Sequence, residues 1–343
     1  MGAFDFVKIF RVNKSISIDL GTANILIYDK QRKKIVLNEP SVVARDRKTG
    51  KLIAVGKEAR EMLGKTPDSI QAIKPLQDGV IADIDSTKEM ITYFIHKIYG
   101  NSLFKPEVMI CVPIEVTSVE RKALFDAVKG AKKTYIIEEG RAAIIGSGVD
   151  ISQPEGSMVI DIGGGSTDIA ILSLDEIIAS KSIRVAGNRF DEDIVRYVKR
   201  KYNLLIGDRT AEKIKKDLGS ALKVQSPEVM EIKGRDLETG IPNTVEVNAN
   251  EIYEAIEDSL FQIVNSTKEV LEKCPPELAA DILDNGIVMT GGGSLIKNFI
   301  DMMEKEVGIK VFLSPNPLDS VVLGGGAAFD NKKLLRTLQM KEN

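Results

Sequence analysis

Apolar residues in this chain fall into short near-continuous runs that alternate with stretches of helical spacing. Two of the runs share one design. Ser15–Tyr28 and Met158–Leu172 each read as an apolar strand, an Asp, a tight Gly turn with hydroxyls, and a second strand. One turn used twice predicts a duplicated domain. After the first copy, 41–79 is rich in charge and turns and reads as a small insertion. A helix is expected over Ser86–Tyr99, with Ser86 and Glu89 as a capping box, Met90, Ile91, Phe94, Ile95 and Ile98 as its apolar face, and Gly100 as its stop. Val108–Pro113 reads as a buried strand. Thr117 and Glu120 form a second capping-box pair, Tyr135–Ile137 another strand, and Arg141–Gly148 a helix closing the first unit.

The second half repeats the alternation. Helices are expected over Asp191–Tyr202 and Thr210–Leu222, a hairpin over Pro227–Val247 turning at Thr239–Gly240, and a long helix over Asn250–Cys274 broken by Pro275–Pro276. A strand at Ile287–Met289 enters Gly291–Gly293, with a helix from Ser294. Val311–Leu313 is a last strand, and Gly324–Gly326 opens a terminal helix. Such alternation implies an α/β fold with a mixed sheet in each half. The expected domains are 1–152 with 322–343, and 153–321. Their insertions fall at about 41–79 and 189–249, giving four subdomains. Ligands favour domain interfaces, so a nucleotide is expected in a central cleft.

Composition narrows the function. At 343 residues the chain has room for about two domains. A net charge of −3 argues against a nucleic-acid protein held by a broad basic surface. Cys111 and Cys274 have no metal-like or redox spacing and read as cytoplasmic thiols. The single histidine, His96, falls on the polar side of its helix. No apolar run is long enough to span a bilayer, and the first residues do not form a signal peptide. The ends are still distinctive. Phe4, Phe6, Val7, Ile9 and Phe10 are interleaved with Lys8, Arg11 and Lys14. Leu334, Leu335 and Leu338 sit beside Lys332, Lys333 and Arg336. A basic amphipathic segment binds an anionic membrane surface; the alternative is a packed terminal strand and helix.

The two turns carry the chemistry. Glycine lets backbone approach phosphate oxygens closely, successive N–H groups cradle an anion, and Mg²⁺ takes few carboxylates with several waters. Asp19 and Asp161, ending their first strands, suit Mg²⁺ held largely through water. Other nucleotide signatures are missing. Gly64–Lys65–Thr66 resembles the end of a P-loop, but the required first Gly is Ala59, and no GxGxxG follows a strand.

DLGTAN at 19–24, NEPSVVA at 38–44, IEE at 137–139, DIGGGST at 161–167 and TGGGS at 290–294 resemble the nucleotide-pocket stretches of the actin, heat-shock-chaperone and sugar-kinase superfamily. LGKTP at 63–67, DGVIAD at 78–83, LFKP at 103–106 and CPPEL at 274–278 narrow the resemblance to the MreB family of bacterial actins, over about Ser15 to Leu338. The resemblance implies an actin-like (RNase H-like) two-domain fold and an ATPase that uses ATP and Mg²⁺. Gly21, Thr22, Ala23 and Asn24 would form the first phosphate loop, and Gly163, Gly164, Gly165, Ser166 and Thr167 the second. Asp19 and Asp161 would position the metal. Glu139, helped by Ser166, would orient the attacking water. Glu212 and Lys215 would contact ribose and adenine, and Gly291, Gly292, Gly293 and Gly324 would wall the adenosine end.

The implied partners are further copies of the chain in a filament, related actin-like subunits, and the inner face of the cell membrane. Three positions depart from the family pattern: Ser166 and Ile25 each replace a usual Thr, and Gly140 replaces a usual Pro. A looser strand end at Gly140 would misplace Glu139, so slow hydrolysis is expected. A chaperone-type ATPase is an alternative, against which the end of the chain at Asn343 counts. A sugar kinase is another, for which no sugar pocket or catalytic Asp is assignable.

Overall fold

Hydrogen-bonded strands organise both halves of the computed structural model, which describes residues 14–100 and 105–339. The chain divides into one unit of Met1–Glu138 with Val321–Asn343 and another of Glu139–Ser320. In the first, β1 (Ser15–Leu20) turns back into β2 (Asn24–Asp29), followed by β3 (Lys34–Pro40). β4 (Val43–Asp46), β5 (Leu52–Val55), α1 (Lys57–Met62) and β6 (Ile70–Ile73) make a small group of elements within 41–79. It is a three-stranded sheet with a small core of Val42, Ala44, Ala54 and Ala59. A short hairpin of β7 (Leu76–Gln77) and β8 (Val80–Ile81) leads to α2 (Ile84–Tyr99), β9 (Glu107–Val112), α3 (Ser118–Ala127) and β10 (Lys133–Glu138). The main sheet has the order β10-β9-β1-β2-β3. β9 and β10 run parallel in the sequence β10, β9, β1, while β2 and β3 are antiparallel to their neighbours.

α2 starts two residues before its expected first residue. Asp83 is the cap, accepting from the Ser86 amide at 2.9 Å and its hydroxyl at 2.7 Å. Two cap-type residues compete three positions apart, and a carboxylate gains most from the helix N-terminus. Glu89, freed of a capping role, pairs with Arg45 at 2.9 Å. The Thr117–Glu120 capping box forms as expected. Met90, Ile91 and Phe94 are buried against Ile16, Ile18, Ile25 and Ile27, and His96 is exposed.

The second unit opens with α4 (Glu139–Gly146), which packs on β11 (Ser157–Ile162) and β12 (Thr167–Ser173) rather than closing the first unit. β13 (Glu176–Ile183), α5 (Gly187–Tyr202), β14 (Leu204–Leu205), α6 (Asp208–Leu218), β15 (Val229–Asp236) and β16 (Pro242–Asn248) follow. α7 (Ala249–Glu272), α8 (Pro276–Asn285), β17 (Ile287–Thr290), α9 (Phe299–Val307) and β18 (Val311–Leu313) complete it. Its sheet order is β13-β12-β11-β17-β18, with β17 and β18 parallel to β11 and the other two antiparallel. The five-stranded topology of the first unit is thus repeated strand for strand.

Several boundaries move, each for a local reason. α5 begins four residues before Asp191. α6 stops at Leu218 because Gly219 caps it. Pro275–Pro276 does more than break α7: it starts α8, where a proline in the first turn sacrifices no helical bond. Ser294 lies in a 3₁₀ turn, Gly292–Leu295, and the α-helix begins only at Phe299. The chain returns to the first unit through α10 (Ser320–Ala327), which contains Gly324–Gly326 instead of starting after it. A separate α11 (Lys332–Leu338) is capped by Asn331. Leu334 and Leu338 of α11 are buried and Gln339 bridges to Tyr135, so this end packs on the protein while Lys332, Lys333 and Arg336 stay exposed. The aromatic and basic N-terminal residues before Lys14, with Leu103 and Phe104, lie outside the described residues. No described helix is long and apolar enough to cross a membrane.

Candidate functional site

In the first unit Gly21, Thr22 and Ala23 form the turn between β1 and β2, and Asn24 opens β2. A side chain at position 21 would meet the Asn24 carbonyl at 2.7 Å, so the turn requires glycine. Its carbonyls are tied back to the protein. Ser41 donates from its hydroxyl to Gly21 O at 2.6 Å and from its amide to Ala23 O at 3.1 Å. The Gly79 amide donates to Thr22 Oγ1 at 3.2 Å. Two residues before Ser41, Glu39 Oε2 accepts from the Lys57 amide at the start of α1, and Oε1 pairs with Lys97 at 3.2 Å.

In the second unit Gly163–Ser166 form the longer turn between β11 and β12, closed by Gly163 N on Ser166 O at 2.9 Å. Here the backbone at the start of α5 holds the carbonyls. The Gly187 amide donates to Gly163 O at 3.1 Å and the Asn188 amide to Gly164 O at 2.7 Å. Thr167, fully buried at the head of β12, donates its hydroxyl to Val185 O at 2.6 Å and so secures the β12–β13 side of the loop.

The two turns therefore use different donors to the same effect. The carbonyls of Gly21, Ala23, Gly163, Gly164 and Ser166 accept from protein donors, and among the described residues nothing accepts from the amides of Thr22, Ala23, Gly164, Gly165 and Ser166. Thr22 and Ser166 are themselves buried. Buried backbone donors are nearly always satisfied in a folded protein, so each of these turns suits an anion.

The acidic residues flank these turns. Asp19 is half-buried in β1, in register with Leu26 and Cys111. Asp161 is buried in β11, in register with Asp168 on β12 and Thr290 on β17. Gly291, at φ 81°, passes so close that a side chain there would lie 2.5 Å from Asp161 Oδ1. One at Gly293 would lie 2.3 Å from the Ile162 side chain. These glycines are thus required by the close pass over β11, with Gly292 exposed between them. Gly324 is buried within α10 of the first unit. Glu139 is 9% exposed in the first turn of α4, so it is no solvated acidic strand end. Gly140 is helical beside it, and Arg141, also buried, lies 3.6 Å from Glu176.

Glu212 and Lys215 lie on α6. Glu212 pairs with Lys216 one turn on, at 2.7 Å, and Lys215 pairs with Asp191 at 2.9 Å and donates to Gly187 O at 2.8 Å. The sequence reading gave no role to Ser41, Gly79, Gly187 or Asn188. Ser41 stood inside a quoted motif, but a backbone clamp leaves no mark in composition or periodicity.

Two copies of one mixed five-stranded sheet, each with a Gly turn at its first hairpin and an inserted subdomain, define an actin-like fold. The chain belongs to the MreB/Mbl protein family, whose model matches residues 13–337. It is 49% identical over 321 residues to the cell shape-determining protein Mbl of Bacillus subtilis, covering 93% of this chain and 96% of that one. It is also similar to MreB5 of Spiroplasma citri, solved bound to ADP and to AMPPNP. There the TM-score is 0.88 at 39% identity, covering 94% of this chain and 98% of that one. The MamK double helical filament shares the fold at a TM-score of 0.79 and 21% identity, covering 92% of this chain and 98% of that one.

Proposed function

We propose that this chain is a cytoskeletal, actin-like ATPase that binds Mg-ATP, assembles with further copies of itself into filaments at the inner face of the membrane, and hydrolyses ATP slowly. The carrying observation is the pair of turns with carbonyls tied back and amides left as donors. Gly21–Asn24 and Gly163–Thr167 act on the phosphates. Asp19 and Asp161 each offer a hard carboxylate oxygen beside a turn, the donor chemistry that suits Mg²⁺ retaining most of its water. The metal supplies charge neutralisation on the phosphates. Glu139 orients the attacking water with help from Ser166; a carboxylate does this without being a strong base. Gly291–Gly293, Gly324, Glu212 and Lys215 serve the nucleoside end. Nucleotide-bound MreB5 and the cell-shape role named for Mbl support this reading.

Membrane association draws support from one end of the first sheet. β1, β9 and β10 start there in register and the β2–β3 turn lies beside them. Lys14, Arg32, Lys33, Lys34, Lys132 and Lys133 gather at that end, where the aromatic N-terminal segment joins β1. Isothermal calorimetry with Mg-ATP, followed by ultracentrifugation with nucleotide and anionic lipid, tests the proposal. Heat of binding and a pelleted fraction are expected; a chain that takes up no nucleotide and stays in the supernatant refutes it.

A further inference from the structure

Glu39 holds two elements with one carboxylate. It lies at the end of β3, with its side chain 14% exposed. Oε2 accepts from the Lys57 amide at 3.0 Å, and Oε1 pairs with Lys97 of α2 at 3.2 Å. Lys57 opens α1, the helix of the small β5-β4-β6 sheet. Gly56, just before it, has φ 72°, and a Cβ there would lie 2.6 Å from Glu39 Oε2 and 3.2 Å from Phe94 Cζ. Only glycine lets this corner bring the Lys57 amide onto the carboxylate.

Two residues on, Ser41 holds the other side. Its hydroxyl and amide secure the Gly21 and Ala23 carbonyls of the first turn. The Val42 amide donates to Pro40 O at 2.9 Å, and Val42 O accepts from the Gly56 amide at 2.9 Å. Val42 itself is buried in the core of the small sheet. Four consecutive residues, Glu39–Val42, are therefore bonded to the first turn through Ser41 and to Gly56–Lys57 through Glu39 and Val42. Fixing such a segment costs conformational entropy once, so order imposed from one side lowers the cost of order on the other.

We propose that Glu39–Val42 is a joint through which ligand bound at the first turn tightens the β5-β4-β6 sheet, with Glu39 as the positioning residue on the sheet side, acting through Ser41 rather than on phosphate. The inference rests on the reading that Gly21–Asn24 binds phosphate. Coupling of this kind is reciprocal: what ligand does to the Glu39–Lys57 bond, that bond does to ligand affinity.

The test uses Glu39→Ala, Glu39→Gln, Lys97→Met and Ser41→Ala in the full chain. Affinities for Mg-ATP and Mg-tripolyphosphate are measured, together with amide exchange at Gly56 and Lys57 with and without ligand. In the natural chain either ligand should slow exchange at Lys57 by about fivefold, and Glu39→Ala should weaken both ligands by about the same factor. Glu39→Gln keeps an acceptor for the Lys57 amide and should recover most of the affinity. Lys97→Met removes only a half-exposed ion pair and should stay within about twofold of the natural chain. Ser41→Ala leaves Glu39 and Lys57 in place, yet should remove most of the ligand's effect on Lys57 exchange. Ligand binding that leaves exchange at Gly56 and Lys57 unchanged overturns the proposal, as does a Lys97→Met loss equal to that of Glu39→Ala. If the unaltered chain takes up neither ligand, the phosphate reading fails. Exchange in Ser41→Ala without ligand then decides the joint: faster exchange at Lys57 supports it, and unchanged exchange overturns it.

Discussion

The hydroxyl of Ser41 donates to the carbonyl of Gly21 across 2.6 Å, while the Ser41 amide reaches Ala23 O, so one buried serine straddles the first turn. Ser41→Ala keeps the amide bond and removes the hydroxyl, leaving a carbonyl without that donor. A lost buried partner costs about 1–3 kcal/mol. We expect nucleotide affinity to fall by about fivefold or more, with a small drop in melting temperature, and Ser41→Thr to recover part of the affinity. Titration with a fluorescent ATP analogue checks this; equal affinities for the three proteins would remove Ser41 from the site.

Gly325 shows why the last glycine run is a packing device. A Cβ there would lie 2.2 Å from Ser17 Oγ and 2.9 Å from Cys111 Sγ, both on fully buried side chains. Overpacking of this kind costs about 1–3 kcal/mol. Gly325→Ala should lower the melting temperature by several degrees, and Ser17→Ala in the same chain should restore part of the loss. If the second change deepens the loss, α10 is not held against β1 as described.

Local patterns made much of this legible. The paired hairpins, both Asp-Gly turns and the Thr117–Glu120 cap follow from apolar runs and short-range chemistry. What escaped was set by contacts distant in sequence. Gly291 and Gly293 are there to pass over β11, and Gly325 and Gly326 to pass Ser17 and the Tyr28 ring. Nothing in the sequence marks the Asp191 and Gly187 contacts that hold the Lys215 side chain. The start of α2 is ambiguous in sequence because Asp83 and Ser86 are both plausible caps, and only charge against the helix dipole separates them.

Glu251 ties the start of α7 to α5 and gives the second unit an acid limit. It accepts from the Asn248 amide at 2.7 Å, from Tyr202 OH at 2.6 Å and from Lys201. Burial pushes its carboxyl up, but the bonds from Lys201, Tyr202 and Asn248 outweigh this and hold it below the usual carboxylate range. Burial and the bond to Glu251 push Tyr202 up to about 12. A carboxylate held low when folded contributes stability above its unfolded value of about 4.3, lost as pH falls through the folded value. The raised Tyr202 contributes below its unfolded value of about 10, lost as pH rises through the folded one. Glu251→Gln should therefore cost about 1–3 kcal/mol between pH 6 and 9, and the gap should shrink below about pH 4. Denaturant titrations at pH 7 and pH 3.5 check it; a gap that widens in acid is the opposite of this expectation.

The cationic end of the first sheet can be separated from the N-terminal segment by substitution. Lys33, Lys34 and Lys133 are exposed, and changing all three to Gln leaves the Lys30–Asp330 and Lys132–Glu107 pairs in place. Each cation near an anionic bilayer contributes about 1 kcal/mol, and salt screens it. The triple variant should lose most of its co-flotation with anionic liposomes at low salt, and the natural chain should lose part of it as salt rises. Deleting Met1–Arg11 should weaken binding at every salt concentration, and most at low salt, since it removes Lys8 and Arg11 together with the aromatic residues. Deleting Lys332–Asn343 is a poor probe, because it removes the buried Leu334 and Leu338. Unchanged flotation of both the triple variant and the N-terminal deletion would refute membrane association through this end.

Slow hydrolysis can be tested at Gly140 and Ser166. Gly140 is not at a loose strand end: it is the second residue of α4, buried beside Glu139. Proline is accepted in the first turn of a helix, where the N–H has no intrahelical partner and φ is already set. Gly140→Pro should therefore stiffen the turn that carries Glu139 without breaking α4. Ser166→Thr adds the β-methyl that narrows the hydroxyl's rotamers. Together they should raise phosphate release by roughly threefold to tenfold, since small displacements of a water-orienting group cost large factors in rate. ATP affinity should change less than the rate, because neither substitution removes a backbone donor from the second turn. A natural chain that already releases phosphate as fast as the double variant would show that Glu139 is held well enough without the proline.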